Sequence, residues 1–233
     1  MLILLITHNI NVIINMNRGV TMIEKKKSID TSYGKMNYLL FYPEELAENT
    51  PIVVFLHGIG ERGNNIEDVK RYSFPAYIQE LDVPYVCICP QCSENNFWEY
   101  HLRDVEAIIE KTILEYHCDG NRIAIMGSSM GACGAWSYMM QRPELFKCLI
   151  SASGRVAFPI QENIDKIIDR SFLIYHGTND DIIDYHNSLE IYEALVAAGA
   201  KDVRLRLVEK GDHYVCSNTY KKPYVYRWLK DRL

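Results

Sequence analysis

RIAIMGSSMGACGAW occupies residues 122–136. Its first part, RIAIM, is a short apolar run typical of a buried strand, and its last part is compatible with a helix. Between them, Gly127 and Gly131 flank Ser129 in the pattern Gly-x-Ser-x-Gly, which Ser128 cannot satisfy because its own flanks are methionines. A serine on a sharp strand-to-helix turn has strained dihedrals, and only very small neighbours leave it room. The stretch predicts a nucleophilic Ser129 at a helix N-terminus; the alternative is a glycine-rich turn with an inert serine.

Strand-like and helical segments alternate along the rest of the chain. We predict strands at 22–31, 36–42, 51–58, 84–90, 122–127, 146–154, 171–177 and 203–209, and helices at 103–117, 130–142, 186–199 and 223–233. This alternation predicts an α/β fold with a mostly parallel central sheet and helices on both faces, the first two strands forming an antiparallel edge. Ligands bind beyond the carboxyl ends of the strands in such sheets, so functional residues should follow strands.

Length and composition exclude several classes of protein. The 233 residues, 48% of them apolar, fit one domain, and the net charge of −5 argues against nucleic-acid binding. Seven scattered cysteines indicate reduced thiols in a cytoplasmic protein. Cys89 and Cys92 form a single Cys-x-x-Cys motif, which is better explained by the end of a strand than by a zinc or redox site. The sequence has no HExxH, no P-loop and no GxGxxG after a strand, so we expect no metal or organic cofactor.

The apolar N-terminus does not match a simple targeting signal. Residues 1–21 lack a basic start and an A-x-A-like cleavage site, and polar residues interrupt their apolar runs too often for a membrane span. Met16 and Met22 could serve as alternative starts. We therefore expect residues 1–21 to be an extension outside the fold and residues 22–233 to be one catalytic domain. If the extension is a weak signal, the protein is secreted.

A serine nucleophile needs a base and an acid, which follow it in the order acid then histidine in this type of turn. His213 lies in a loop between the last predicted strand and the last helix, whereas His186 starts an amphipathic helix and should be exposed. The loop after the strand at 171–177 offers Asp180, Asp181 and Asp184. Asp180 fits best because it is close to the strand end, and Asp181 remains an alternative.

These motifs together resemble the α/β-hydrolase superfamily, and within it the small carboxylesterases of the phospholipase/carboxylesterase, predicted-peptidase and feruloyl or acetyl-xylan esterase groups. The resemblance is carried by FLHGIGERG (55–63), PQC followed by Trp98 (90–98), DGNRIAIMGSSMGACGAW (119–136), RPELF (142–146), HGTNDDII (176–183) and GDH (211–213). It implies a triad of Ser129, Asp180 and His213 acting on a small-molecule ester through an acyl-enzyme, without stable membrane insertion. Cys216 stands where some relatives carry tryptophan, which could alter the pocket wall.

The glycine-rich stretch HGIGERG at 57–63 then predicts half of an oxyanion hole. One N–H donor should come from Met130, which follows Ser129, and the other from Ile59. Gly58 and Gly60 would let the backbone turn toward the site. His57 should be structural, tying the loop down, and no Gly-Lys-Ser/Thr follows to support a phosphate cradle.

The segment between the strands ending at Gly154 and starting at Ser171 is too short for a large lid, so we expect a minimal lid or none. The loop at 91–101 should bring Phe97, Trp98 and Tyr100 near the site, where aromatic rings can stack on substrate; core packing is the alternative. Arg62 should bind an acidic substrate or brace its own loop, with Glu61 as its partner. Competing functions are a serine peptidase of prolyl-oligopeptidase type, a lysophospholipase or thioesterase, and a non-catalytic binding module.

Overall fold

The computed structural model describes residues 20–81, 83–156 and 160–233, so most of the predicted extension at 1–21 lies outside the described residues. Within these ranges, eight strands form one sheet in the order β1-β2-β4-β3-β5-β6-β7-β8. The strands are β1 (Met22–Thr31), β2 (Gly34–Pro43), β3 (Ile52–Leu56), β4 (Val86–Pro90), β5 (Ile123–Ser128), β6 (Cys148–Ala152), β7 (Ser171–Gly177) and β8 (Asp202–Val208).

The sheet is parallel from β4 to β8, and only its first edge is antiparallel. β1 pairs with β2 and β2 pairs with β4 in antiparallel register, whereas all pairs from β3–β4 to β7–β8 are parallel. The prediction of a mostly parallel α/β sheet with an antiparallel edge is therefore confirmed. Consequently, the loops that follow β3, β5, β7 and β8 all emerge at one edge of the sheet.

Helices cover both faces of the sheet. They are α1 (Ser73–Tyr77), α2 (Leu102–Tyr116), α3 (Met130–Gln141), α4 (Ile160–Asn163), α5 (His186–Ala197), α6 (Val215–Asn218) and α7 (Pro223–Lys230). The short helices α1, α4 and α6 do not appear among the predicted elements, because four or five residues are too few to show a helical period.

Alternate residues of each strand enter two separate cores, since successive side chains of a strand point to opposite faces. Val54 and Leu56 of β3 join the core beneath α2, α3 and α5. Val53 and Phe55 join the core beneath α1, α6 and α7. Burial on both sides explains why β3 and β4 are continuous apolar runs rather than alternating ones, and why Ser151 is the one polar residue of β6.

The described parts of the connections show no lid. Between β6 and β7, the described residues form only α4 and a 3-10 turn at Ile164–Lys166. No helix in the described part of the chain is long and apolar enough to cross a membrane.

Candidate active site

Ser129 sits at the turn between β5 and α3, with φ 54° and ψ −120°. This left-handed conformation is costly for a residue with a side chain, and tight packing around the turn enforces it. A Cβ on Gly127 would lie 2.2 Å from the Gly131 carbonyl oxygen, and a Cβ on Gly131 would lie 1.9 Å from the Leu56 carbonyl oxygen. The two glycines are therefore required by close backbone approach, which raises Ser129 above the carboxyl end of the sheet.

His213 lies in the loop after β8, within hydrogen-bond distance of Ser129. Its Nε2 is 2.9 Å from Ser129 Oγ. Its Nδ1 is 2.9 Å from Asp180 Oδ1 and 2.8 Å from Asp180 Oδ2. Because Nδ1 faces only a carboxylate, it carries the proton, and Nε2 is left to accept the Ser129 hydroxyl.

Two glycines bring the loops of Asp180 and His213 together. A Cβ on Gly177, at the end of β7, would lie 2.2 Å from the carbonyl oxygen of Gly211. The Asn179 N–H donates to that same Gly211 oxygen at 2.8 Å, and the Thr178 N–H donates to the Val208 oxygen at 3.0 Å. The loop after β7 thus continues the pairing with β8, which delivers Asp180 to the His213 ring.

Asp180 is held as a buried carboxylate. Its Oδ1 accepts the backbone N–H groups of Ile182 at 3.0 Å and Ile183 at 2.9 Å. Burial opposes ionisation, but the Ile183 N–H, the His213 ring and the Ile182 N–H outweigh it and lower the Asp180 pKa. Asp181 is exposed, and Asp184 pairs instead with His186 at 2.7 Å. Of the three candidate acids, the structure brings only Asp180 to His213.

Ile59 and Met130 line the same cavity as Ser129. Each begins a helical turn, Ile59 a 3-10 turn after β3 and Met130 the helix α3, so its N–H has no intrahelical acceptor. Gly58 is extended, with φ −76° and ψ −178°, a conformation open to any residue. A Cβ there would be tight against Glu61 Oε2, at 3.2 Å, and in ordinary contact with Ser129 Cβ, at 3.6 Å, so space around Gly58 is limited. The expectation that backbone freedom explains Gly58 is corrected accordingly.

His57 is fully buried beneath this loop. Its Nδ1 is 2.6 Å from the Gly58 carbonyl oxygen, and its Nε2 accepts the Cys92 N–H at 3.0 Å. Burial lowers the His57 pKa to about 4, so the ring is neutral at physiological pH. This neutral ring ties the loop after β3 to the loop after β4.

The three aromatic residues of the loop at 91–101 have different positions. Trp98 is fully buried against Gly134, and its Nε1 donates to the His57 carbonyl oxygen at 2.9 Å. Its predicted contact with substrate is corrected to a role in holding the loop. Tyr100 is exposed and lies outside the cavity lining. Phe97 alone of the three lines the cavity.

Arg62 supports Phe97 rather than pairing with Glu61. Its Nη1 donates to the Asn96 carbonyl oxygen at 3.1 Å, and its guanidinium lies 5.3 Å from the centre of the Phe97 ring. The neighbouring Glu61 side chain points into the protein and is 3% exposed. The expected ion pair of Arg62 with Glu61 is therefore corrected.

The cavity at Ser129 has a volume of about 410 Å³. Its wall combines apolar side chains with three charged ones, Glu99, Arg155 and Asp184. The sequence motifs indicate Asp184 only as a possible triad acid and do not indicate the other two. Position after a strand was the only available signal for Arg155. A cavity of about 440 Å³ near Thr50 and Pro84 lies at the amino ends of β3 and β4, the opposite edge of the sheet. We assign the site to the cavity at Ser129.

No cluster of three or more histidine, cysteine or acidic side chains suited to a metal occurs among residues 20–81, 83–156 and 160–233. All seven cysteines are buried and free, including Cys89 and Cys92.

The family model described as phospholipase/carboxylesterase matches residues 87–225. A bifunctional acetylxylan esterase/xylanase of Neocallimastix patriciarum is 26% identical in an alignment of 153 residues that covers 63% of this chain and 22% of that protein. The structure of a thermostable esterase, 28% identical, superposes with a TM-score of 0.78 over 90% of this chain and 63% of that one. This chain thus spans less than two thirds of either relative.

The feruloyl esterase module from Clostridium thermocellum, solved in complex with sinapinate, is 13% identical and has a TM-score of 0.72, covering 90% of this chain and 87% of that one. At that identity the likeness shows the fold alone. The expected α/β-hydrolase fold is confirmed by these matches.

Proposed function

This chain belongs to the phospholipase/carboxylesterase family, and we propose that it hydrolyses carboxylic esters with Ser129 as nucleophile, His213 as general base and Asp180 as the orienting acid. The observation that carries the proposal is the continuous hydrogen-bond chain from Ser129 Oγ through His213 to the Asp180 carboxylate, with links of 2.9 and 2.8 Å. A serine hydroxyl is a weak nucleophile without such a base.

The geometry supports acyl transfer in two steps. Ser129 Oγ attacks the ester carbonyl while His213 Nε2 takes its proton, and the resulting oxyanion accepts the N–H groups of Ile59 and Met130. His213 then protonates the leaving alcohol, and an acyl-enzyme remains on Ser129. Water, deprotonated by His213, attacks the acyl carbon, and the Ser129 Oγ–acyl bond breaks as His213 returns the proton to Oγ and the acid is released. Throughout, Asp180 stays ionised, because its lowered pKa keeps it a carboxylate, and it stabilises the imidazolium.

The cavity supports a small acyl group as substrate. At about 410 Å³, with Phe97, Met130 and Ile182 in its wall, it suits short acyl or aromatic acyl groups rather than a long chain. The acetylxylan esterase named among the relatives makes acetyl esters the first choice, with feruloyl esters next and Phe97 as the stacking residue. We place the catalytic domain at residues 22–233, and the seven free cysteines favour the reducing cytoplasm.

The function is tested with p-nitrophenyl acetate and butyrate. Wild type should turn over both, and Ser129→Ala should lose at least about a thousandfold in kcat. Ser128→Ala is the matched control, because the Ser128 hydroxyl donates to the Cys216 carbonyl at 2.9 Å rather than to His213; it should retain most activity. A fluorophosphonate probe should label wild type and Ser128→Ala but not Ser129→Ala.

Equal hydrolysis by wild type and Ser129→Ala would refute the proposal. Peptide p-nitroanilides turned over faster than esters would instead favour a peptidase, and long-chain lysophospholipids or thioesters a lysophospholipase or thioesterase. A folded wild type that the fluorophosphonate does not label would favour a binding module.

A further inference from the structure

We propose that His176 is a positioning residue that holds the Asp180 carboxylate in the orientation His213 requires, an inference that rests on the proposed function. The side chains of His176 and Asp180 are both completely buried, and His176 Nε2 lies 3.2 Å from Asp180 Oδ2. The same Nε2 lies 2.9 Å from the Ile183 carbonyl oxygen. On the other side of the ring, Nδ1 is 2.7 Å from Ser188 Oγ on α5.

These contacts determine the tautomer of His176. Nε2 faces two acceptors, the Asp180 carboxylate and the Ile183 carbonyl, so Nε2 must carry the proton. Burial, partly offset by the Ile183 carbonyl and the Asp180 charge, lowers the His176 pKa and keeps the ring neutral. Nδ1 is then an acceptor, and the Ser188 hydroxyl donates to it. The other acceptor near the Ser188 hydroxyl, the Gly154 carbonyl, is farther away at 3.5 Å, so Ser188 supports the tautomer that the two acceptors at Nε2 impose.

His176 completes the set of donors around the carboxylate. Asp180 Oδ1 already accepts two backbone N–H groups, from Ile182 and Ile183. Oδ2 accepts from His213 Nδ1 at 2.8 Å, and His176 Nε2 lies 3.2 Å from it, with its one N–H shared between Oδ2 and the Ile183 carbonyl. With donors on both oxygens the carboxylate plane cannot rotate freely, and both oxygens stay directed at His213 Nδ1.

His176 also restrains the backbone that carries the acid. By bonding the Ile183 carbonyl, it braces the turn whose N–H groups bind Oδ1. The hydrogen-bonded chain thus runs from Ser188 through His176, Asp180 and His213 to Ser129. A change at Ser188, which touches neither His213 nor Ser129, should therefore reach the nucleophile.

The test compares His176→Leu, His176→Gln and Ser188→Ala with the control Thr112→Val. Thr112 is buried in α2, where its hydroxyl donates to the Ile108 carbonyl at 2.7 Å, so the control removes a buried hydroxyl away from the site. For each protein we would measure kcat and KM with p-nitrophenyl acetate, the rate of Ser129 labelling by a fluorophosphonate, and the melting temperature.

Loss of one hydrogen bond to a charged group predicts that His176→Leu lowers kcat and the labelling rate by about 10- to 100-fold with KM unchanged. His176→Gln, whose amide can donate from near the Nε2 position, should recover to within about threefold of wild type. Ser188→Ala should lose about 3- to 10-fold, because His176 Nδ1 loses its hydrogen-bond partner and the ring is less firmly held against Asp180. Thr112→Val should match wild type.

Each outcome separates this role from the function it rests on. Labelling of His176→Leu and Ser188→Ala at the wild-type rate would overturn the positioning role and leave the esterase proposal intact. If His176→Leu does not fold, a Ser188→Ala rate equal to that of Thr112→Val still overturns it. A folded wild type that the probe does not label overturns the proposed function and this role together. Wild type that is labelled but inactive on the ester refutes only the substrate, and the labelling rates still measure the effect of His176.

Discussion

Glu61 should make the stability of this protein fall as pH rises through neutrality. Its carboxyl is buried under the oxyanion loop, its Oε2 lies 3.2 Å from the point where a Cβ on Gly58 would stand, and its Oε1 has no hydrogen-bond partner in the described structure. Burial raises the Glu61 pKa from 4.5 to about 8, although the Gly58 N–H and the charge of Arg71 oppose the rise. At neutral pH the folded protein therefore holds this group as a neutral acid.

The sign and size follow from proton linkage. Between pH 4.5 and 8 the unfolded chain has released the Glu61 proton and the folded chain has kept it, so each pH unit lowers the free energy of unfolding by about 1.4 kcal/mol. From pH 5 to 8 the loss sums to about 4 kcal/mol, a large share of a typical domain's stability.

His57 opposes this trend at lower pH. Its folded pKa of about 4 is below the unfolded 6.5, so stability rises with pH between those values. The decline caused by Glu61 should therefore appear in wild type only above about pH 6.5.

The measurement is urea unfolding of wild type and Glu61→Gln at pH 5, 6, 7 and 8. The glutamine amide adds a buried donor, which costs about 1–3 kcal/mol if unpaired, but that offset does not vary with pH. The difference in unfolding free energy, wild type minus variant, should thus fall by about 1.4 kcal/mol per pH unit. Glu67→Gln is the control: ion pairs of Glu67 with Lys26 and Lys70 lower its pKa, so its difference should stay flat. Parallel curves for wild type and Glu61→Gln would show that Glu61 is ionised when folded and refute the reasoning.

Two glycine substitutions test the geometry of the loops. Gly58→Val should lower kcat by about tenfold or more in a folded protein, because its Cβ alone would lie 3.2 Å from Glu61 Oε2 and 3.6 Å from Ser129 Cβ, and valine adds two methyl groups beyond it. Gly60→Ala should lose less than about threefold, because its Cβ would be no closer than 3.9 Å to a Tyr72 ring carbon. Equal kcat values for the two variants would show that Gly58 is only part of an ordinary turn. Gly177→Ala would place its Cβ 2.2 Å from the Gly211 carbonyl oxygen. Urea unfolding should show a loss of about 2–4 kcal/mol in unfolding free energy, and ester hydrolysis should be abolished. If the variant is as stable as wild type, the loops after β7 and β8 are not in contact.

Adjacent residues with similar or complementary side chains have different positions, which only the tertiary structure decides. Phe97 and Trp98 are equally aromatic, but the space at Gly134 accepts Trp98 and leaves Phe97 at the cavity. The adjacent opposite charges of Glu61 and Arg62 predict an ion pair, but the turn directs the Glu61 side chain inward and the Arg62 side chain over Phe97. His176 ends a strand, a position that gives no sign of a role at the site, and only its distances to Asp180 and Ser188 indicate one.

By itself, the sequence determined the alternation of strands and helices, the mostly parallel sheet and the turn that presents Ser129, because these depend on local periodicity and on glycines a few residues apart. Which acid meets His213, which aromatic ring lines the cavity and which carboxyl stays protonated were decided by the tertiary structure. Each depends on contacts between segments far apart in the chain, such as the approach of Gly177 to Gly211, and on a burial that no single segment possesses before the fold assembles.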